Sequence, residues 1–483
     1  MSRLFISATH KSSGKTTISL GLAAALAARG LAVQTFKKGP DYIDPMWLAR
    51  ASGRPCYNLD FNTQDEAEIL ATFRRAGRDA DIALIEGNKG LHDGLDAEGR
   101  DSSAALAGLL RAPVALVVDT VGMTRGIAPL VLGYAAFDPR VAIRGVILNK
   151  VGLARQESKL RQALERYTDI PVLGAIGRDE GLCVEERHLG LTTPGEIDNA
   201  ARIIARTREV VARGVDIDRL IAVADAASER IGPAPVETFP TPDLTIAVAR
   251  DAAFGFYYQD DFEALRRAGA RLIFFDALRD RNLPAADALF IGGGFPETQA
   301  AALAANESLR AQIKAAIAGG LPTYAECGGL MYLSRSIAWR GESHKMVGAV
   351  PGDAVVGDKP QGRGLVVLEE TEDSPWPRRA QPAAIPGHEF HYAALENVDP
   401  NCRFAYRVRR GYGVDGKRDG VVVGNLLASF SHLRDTSRHH WARRFVAFIR
   451  QVRERQAAKP TAGRLIADPS PKRNAIAPRR SAG

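Results

Sequence analysis

The segment TYAECGGL, residues 323–330, sets a cysteine between a carboxylate and two glycines, where an apolar strand run gives way to an apolar helical one. A thiol at such a turn sits at a helix N-terminus, whose backbone dipole favours the thiolate, and Gly328 and Gly329 permit close approach of backbone and substrate. A lone cysteine ordinarily just fills apolar space. Cys327 has more around it. The run ADALFIGGGFPE, upstream of it, ends another strand in three glycines that can turn N–H groups toward a developing oxyanion. A thiolate nucleophile needs a base, usually histidine. GHEFHY offers His388 and His391, and LLASFSHLRD offers His432. Cys56, Cys183 and Cys402 lack this setting and read as structural. No C-x-x-C pair occurs, so neither a zinc site nor a disulfide framework is indicated.

A second group of residues points to phosphate. SATHKSSGKTT joins a first strand to a helix, and its Ser13, Gly14, Lys15, Thr16 and Thr17 form the core of a nucleotide-binding loop. Backbone N–H groups there cradle phosphate oxygens, Lys15 neutralises the β/γ charge, and the Thr16 hydroxyl suits Mg²⁺. The strict G-x-x-x-x-G-K-[ST] pattern fails because Thr9 holds the first glycine position. Two acidic stretches follow strand-like runs: KKGPDYIDP, with Lys37, Asp41 and Asp44, and IALIEGNKGLHDG, with Glu86 and Asp93. Strand C-termini of a parallel sheet open onto one crevice, so these groups would meet the loop there, as a metal ion and a phosphoryl acceptor require. ATP and Mg²⁺ are the implied cofactors.

The elements that must position these groups alternate. LFISAT, LAVQTFKKG, ADIALIEG, APVALVVDT, IRGVILNKV and PVLGAIG are Val- and Ile-rich runs separated by helical segments such as TTISLGLAAALAARG and SSAALAGLLR. Such runs are strands buried on both faces, which predicts a doubly wound parallel α/β sheet. Helical sequence continues to about residue 227, and then IGPAPVETFPTPD resists helix and strand alike. A second α/β series begins at LTIAVARD. The expected division is an ATP-binding domain over 1–205, a helical and Pro-rich linker over 206–243, a second α/β domain over 244–452, and a basic tail over 453–483. That tail carries eight Lys and Arg against two Asp and Glu, and so holds most of the +8 formal charge. It reads as a disordered, solvated extension rather than a nucleic-acid surface. No run of eighteen apolar residues and no signal peptide appear among the 483 residues, so a cytoplasmic protein without membrane contact is expected.

In order along the chain stand the phosphate loop, GPDYIDP, EG-x-x-GL-x-DG, ERHLGL at residues 186–191, GGG-FPE, AECGG, GHEFHY and AS-F-x-H. On these motifs the chain resembles the cobyrinic acid a,c-diamide synthase family, ATP-dependent glutamine amidotransferases of tetrapyrrole biosynthesis, over roughly residues 3–450. The resemblance implies an N-terminal P-loop domain like dethiobiotin synthetase and a C-terminal class I-type glutamine amidotransferase domain. It implies Ser13, Gly14, Lys15, Thr16, Thr17 and Lys37 at the nucleotide and Thr16, Asp41 and Glu86 at Mg²⁺. Tyr42, Asp44 and Asp93 would position substrate carboxylates, with Cys327 as glutaminase nucleophile and His432 as its base. Small molecules (glutamine, ATP and a tetrapyrrole carboxylate) are the implied partners, and a homodimer is compatible. Three departures stand out: a glycine-poor phosphate loop, Asn88 and Lys89 in EGNKGLHDG, and Leu433–Arg434 after His432 where the family carries a second histidine. The last leaves no third triad member evident and predicts a Cys–His dyad. The Asn-Lys loop resembles a branch directed at siroheme. A P-loop ATPase of the chromosome-partitioning kind with a regulatory module would use GKTT and the tail, but leaves AECGG and SFSH without a task.

Overall fold

Val, Ile and Leu recur without polar interruption in the N-terminal runs, so each strand demands cover on both faces. The computed structural model describes residues 1–179, 186–187, 190–196, 199–227, 234, 236–379 and 383–458. In it these runs are β1 (Ser2–Ala8), β2 (Val33–Lys38), β3 (Tyr57–Leu59), β4 (Ile82–Glu86), β5 (Val114–Asp119), β6 (Ile143–Val151) and β7 (Val172–Gly177). They pair in the order β3-β2-β4-β1-β5-β6-β7, all parallel. The winding direction changes beside β1, so the carboxyl ends of β1, β4 and β5 frame the crevice where a doubly wound sheet takes its ligand.

A short hairpin, β8 (Glu186–Arg187) and β9 (Gly190–Leu191), falls on ERHLGL. The side chains of that motif, with His188, Leu189 and Cys183, lie outside the described residues, as does the chain beyond 458. The helices Ala200–Gly214 and Ile217–Asp225 differ from expectation. Residues 206–225 fall in the expected linker, yet Val211, Val215, Ile217, Leu220 and Ala224 share the core of the first sheet with Ile6, Leu22 and Leu26. Their amphipathic faces needed cover, and Gly21 admits one of them: a Cβ there would stand 2.3 Å from Val211 Cγ2.

The second domain combines β10 (Leu244–Ala249), β11 (Ala270–Phe275), β12 (Ala288–Ile291) and β13 (Thr323–Glu326) as a parallel core. A small separate sheet holds β14 (Ser336–Trp339), β15 (Glu342–Lys345), β16 (Asp353–Val356) and β19 (Ala393–Glu396). The main sheet continues through β17 (Gly362–Glu370), β18 (Ile385–His391), β20 (Arg403–Arg410), β21 (Arg418–Val423) and β22 (Leu426–Ser429). Its order is β11-β10-β12-β13-β22-β21-β20-β17-β18, with β22 parallel to β13 and the strands beyond it antiparallel. The last helix runs from Trp441 to Ala457, past the expected tail boundary at 453, because Phe445, Phe448, Ile449 and Val452 bury one face. Among the described residues no helix is long and apolar enough to cross a membrane.

Candidate functional site

The thiol centre follows from strand register. β13 and β22 are parallel neighbours with Glu326 opposite Ser429. Cys327 and His432 therefore leave the same edge of the sheet side by side, and the Cys327 N–H donates to the Ser429 carbonyl at 2.7 Å. Cys327 is forced to φ 47°, ψ −103°, a sharp elbow before the helix Gly328–Leu333. The elbow needs its glycines. A Cβ at 329 would stand 2.2 Å from the Ile291 carbonyl oxygen, and one at 328 would stand 3.0 Å from the Gly294 nitrogen. The three-glycine turn after β12 thus lies directly against the cysteine elbow. His432 completes the group: its Cε1 would be 2.5 Å from a Cβ on Gly293.

One member went unseen in the sequence. Glu326, the residue before the nucleophile candidate, faces His432 Nδ1 through Oε2 at 3.3 Å. Its Oε1 accepts the Tyr324 hydroxyl at 2.5 Å and the Leu433 N–H at 2.9 Å. A carboxylate so held keeps the proton on Nδ1 and leaves Nε2 to exchange protons with sulfur or nitrogen. The expected dyad is thus replaced by a Cys327–His432–Glu326 arrangement. Asp419, also unforeseen, accepts the N–H groups of Phe430 and Ser431 and so fixes the turn that presents His432. Burial, then Glu297, pushes the Cys327 thiol well up. The resting sulfur is protonated unless His432 takes that proton.

His388 and His391 part company. His388 stacks on His432 at 4.9 Å between ring centroids, and their backbones bridge. Burial and the neighbouring His432 push its pKa well down, so it stays neutral. His391 points elsewhere: Nδ1 meets the Ala393 carbonyl at 2.7 Å and the ring stacks on Phe430. It lies outside the thiol centre.

The phosphate loop turns through Ser12 (φ 64°) and Gly14 (φ 90°) before the helix Lys15–Ala28. Asn149 braces it, donating from Nδ2 to the Ser13 carbonyl at 2.8 Å. The Ser13 hydroxyl is spent on the His10 carbonyl, and Thr17 is half-buried in the first helical turn. Lys15 is buried, and burial together with Lys37 pushes its pKa down to about 8. Thr16 Oγ1 donates to Glu86 Oε1 at 2.7 Å and lies 3.3 Å from Asp44 Oδ2. Lys37 Nζ reaches Asp44 at 2.6 Å, Glu86 at 2.8 Å and Asp41 at 3.9 Å. Asp44 therefore stands with Thr16, Lys37 and Glu86. Asp93 sits on the exposed glycine-rich loop and accepts the Gly90 N–H. Tyr42 is remote from these carboxylates in orientation: it is buried between the domains, stacked on Phe256 and 5.1 Å from the His432 ring.

Burial outweighs the Lys37 charge at two of these carboxylates. Burial, then Asp44, pushes Asp41 up to about 7, and burial pushes Glu86 up as well. Glu86 Oε2 is buried without a hydrogen-bond partner. A divalent cation would satisfy that atom and lower both pKa values. Among the described residues no three His, Cys or carboxylate side chains form a ready metal cage. Mg²⁺ shared with nucleotide phosphates needs only one or two carboxylates beside a hydroxyl, which Thr16, Glu86 and Asp41 can offer.

Comparison with known proteins gives the same two-part division. Residues 4–191 match the CobQ/CobB/MinD/ParA nucleotide binding domain, and residues 245–439 match the CobB/CobQ-like glutamine amidotransferase domain. A protein of Magnetococcus marinus named cobyrinate a,c-diamide synthase is 44% identical over 93% of this chain and 97% of its own length. Proteins of the same name are 41% identical in Methanosarcina acetivorans, over 89% of this chain and 92% of theirs, and 40% identical in Archaeoglobus fulgidus, over 92% and 96%.

Proposed function

The chain belongs to the cobyrinate a,c-diamide synthase family, and we propose that it converts the a and c acetate carboxylates of cobyrinate to amides through the residues described above. It is an ATP-dependent, glutamine-hydrolysing ligase. The observation that carries the residue assignment is the register of β13 and β22, which delivers thiol, imidazole and Glu326 carboxylate to one edge.

Cys327 Sγ attacks the side-chain amide of glutamine as its proton passes to His432 Nε2, and the imidazolium formed is held by Glu326. His432 then protonates the leaving nitrogen, ammonia departs, and water hydrolyses the glutamyl thioester. The turn at 292–294 packs against Gly328, and since the Gly292 N–H donates to the Tyr257 hydroxyl at 2.9 Å, the N–H groups of Gly293, Gly294 and Gly328 would be the donors to the carbonyl oxygen as it becomes an oxyanion. In the first domain a substrate carboxylate takes the γ-phosphoryl of ATP. Carboxylates are anionic and resist amines, whereas an acyl phosphate has a leaving group that ammonia displaces. Lys15 and Lys37 offset charge on the transferred group, and Thr16, Asp41 and Glu86 are the residues that would hold Mg²⁺. Bound there, the ion would supply Lewis-acid charge to the transferring phosphoryl group. Two amidations need two rounds.

Cys327→Ser is the direct test. Amidation from glutamine should vanish while amidation from ammonium salts persists with ATP. Retained glutamine use in Cys327→Ser would place the nucleophile elsewhere. Running wild type against cobyrinate, hydrogenobyrinate and siroheme assigns the macrocycle, and turnover of siroheme alone would overturn the cobyrinate reading.

A further inference from the structure

The loop that follows β2 and the histidine that follows β22 are tied together by a closed ring of buried contacts. One half is aromatic. The Tyr42 ring lies 5.1 Å from His432, 5.4 Å from His388 and 4.7 Å from Tyr258. The Tyr258 hydroxyl meets His388 Nδ1 at 3.3 Å. The other half is polar and runs through Arg434, two residues past His432. Arg434 is buried in the interface, its Cζ 4.9 Å over the Tyr258 ring. Its Nη2 donates to Asp260 Oδ2 at 2.6 Å, within the second domain, and to the Asn58 carbonyl at 2.6 Å, in the first. Asn58 in turn holds the loop: its Nδ2 donates to the carbonyls of Gly39 at 2.9 Å and Asp41 at 2.7 Å. Asp41 precedes Tyr42, which returns to His432.

Adhesion between domains does not require this arrangement. Arg75–Glu263 at 3.2 Å already joins them nearer the surface. Arg434 instead places a fully buried guanidinium on a backbone carbonyl, and that carbonyl belongs to the one residue whose side chain grips the Gly39–Asp41 turn. Arg434 Nη1 and Asp260 Oδ1 are also buried without partners. That is spare hydrogen-bonding capacity, which a second arrangement of the same pair could take up. The segment 39–44 carries Asp41 and Asp44, which stand beside Lys37 and Thr16 at the phosphate loop.

We infer that Arg434 is a positioning residue that couples the two reactions: movement of loop 39–44 on binding nucleotide and acceptor is delivered to His432 through Asn58, Arg434 and Tyr42, so that glutamine is cleaved in step with carboxylate activation. The inference rests on the amidotransferase reading of both centres. A guanidinium fork is needed because one side chain must reach two acceptors at once, and lysine, a point donor on a flexible stem, keeps the charge opposite Asp260 without the span.

Arg434→Lys tests it. Glutamine hydrolysis is measured with and without MgATP plus cobyrinate, alongside amide formed per glutamine consumed and amidation from ammonium chloride. Wild type should respond to MgATP and cobyrinate at least fivefold. In Arg434→Lys the response should fall below twofold and glutamine spent per amide should rise severalfold, with ammonia-dependent amidation within threefold of wild type. Asn58→Ala, which frees the loop while leaving the backbone carbonyl for Arg434, should uncouple in the same way and serves if the lysine variant does not fold. A wild-type-like response in either folded variant, or a parallel fall of all three activities, overturns the coupling role. So does a wild type whose glutaminase ignores MgATP and cobyrinate. Failure of wild type to form amide from glutamine and ATP defeats the underlying function instead.

Discussion

Lys15 should make MgATP binding take up a proton above neutral pH. The ammonium is 7% exposed, and burial, with Lys37 adding repulsion, brings its pKa from 10.5 to about 8 against the opposing pull of Glu86, Asp44 and Asp93. A lowered lysine pKa means the folded protein binds fewer protons than the unfolded chain between about pH 8 and 10.5. The penalty of charging Lys15, about 3 kcal/mol, is present in full below the folded value and lifts as pH rises toward the unfolded one. Phosphate oxygens reverse this by favouring the charged form. In the free protein near pH 8.5 roughly three quarters of Lys15 is neutral, and near pH 7 roughly a tenth, so Lys15 should contribute an uptake of about 0.7 and about 0.1 proton respectively. Affinity should weaken about fifteenfold between pH 7 and pH 9.5, a roughly thirtyfold loss from Lys15 offset about twofold by the ionisation of Asp41. Titration calorimetry in buffers of different ionisation enthalpy reads the uptake directly. The nucleotide phosphates are ionised near pH 8.5. Asp41, at about 7, is half protonated at the lower end of the window, where a divalent cation would displace about half a proton, so the Lys15 uptake is read near pH 8.5, where Asp41 is already ionised. Lys15→Arg, charged throughout, should abolish the uptake. An uptake near pH 8.5 that persists unchanged in Lys15→Arg, or is missing from wild type, refutes the reasoning.

Glu326→Gln keeps the shape of the thiol centre but removes the charge opposite His432 Nδ1, and glutamine hydrolysis should slow by about a hundredfold. Ammonia-dependent amidation should be untouched, and steady-state kinetics with the two nitrogen donors separate these outcomes. Gly329→Ala drives a Cβ to 2.2 Å from the Ile291 carbonyl oxygen, so it should cost about 2–3 kcal/mol and displace the elbow; an unchanged melting temperature counts against the packing described. Lys37→Met leaves Asp44 and Glu86 buried without their counter-charge and should destabilise the protein by about 3 kcal/mol at neutral pH. Part of that loss should return on acidification as the carboxylates take protons, which denaturant titrations at two pH values will show.

The sequence carried the local half of this site. Lys15 and Thr16 open a helix, Cys327 stands before two glycines, and both signals lie within a few residues. Glu326 was adjacent to the cysteine and still escaped notice, because its partner is fixed by the pairing of β13 with β22, a contact spanning about a hundred residues that no local pattern encodes. The same holds for Asp44: the resemblance assigned it to substrate carboxylates, and only the fold, with Asp44 in the first turn of the helix Ile43–Ser52, brings it within reach of Lys37 and Thr16. The helices at 200–225 looked like a bridge since their apolar stripe is readable but its target is not; the target is Gly21 and its neighbours on the helix Lys15–Ala28. The antiparallel strands β17, β18, β20 and β21 gave no motif beyond GHEFHY.

Loop 39–44 also bears on how far ammonia must travel. Asp41 and Asp44 turn toward Lys37, and Tyr42, between them in sequence, turns toward His432. Consecutive Cα atoms are about 3.8 Å apart, so the phosphate-side carboxylates and the wall of the thiol centre belong to one short span of backbone. Tyr42 therefore links the two candidate centres through a single stretch of backbone. Ammonia is useful only while unprotonated, and water along its route would protonate it. Between these centres stand Tyr42, Phe256, Tyr258 and His388, in contact ring to ring. His388 is held neutral by its burial and so offers no proton to a passing amine. The Tyr42 and Tyr258 hydroxyls of the same layer are pushed well above the usual phenol range by burial, so they too hold their protons against an amine.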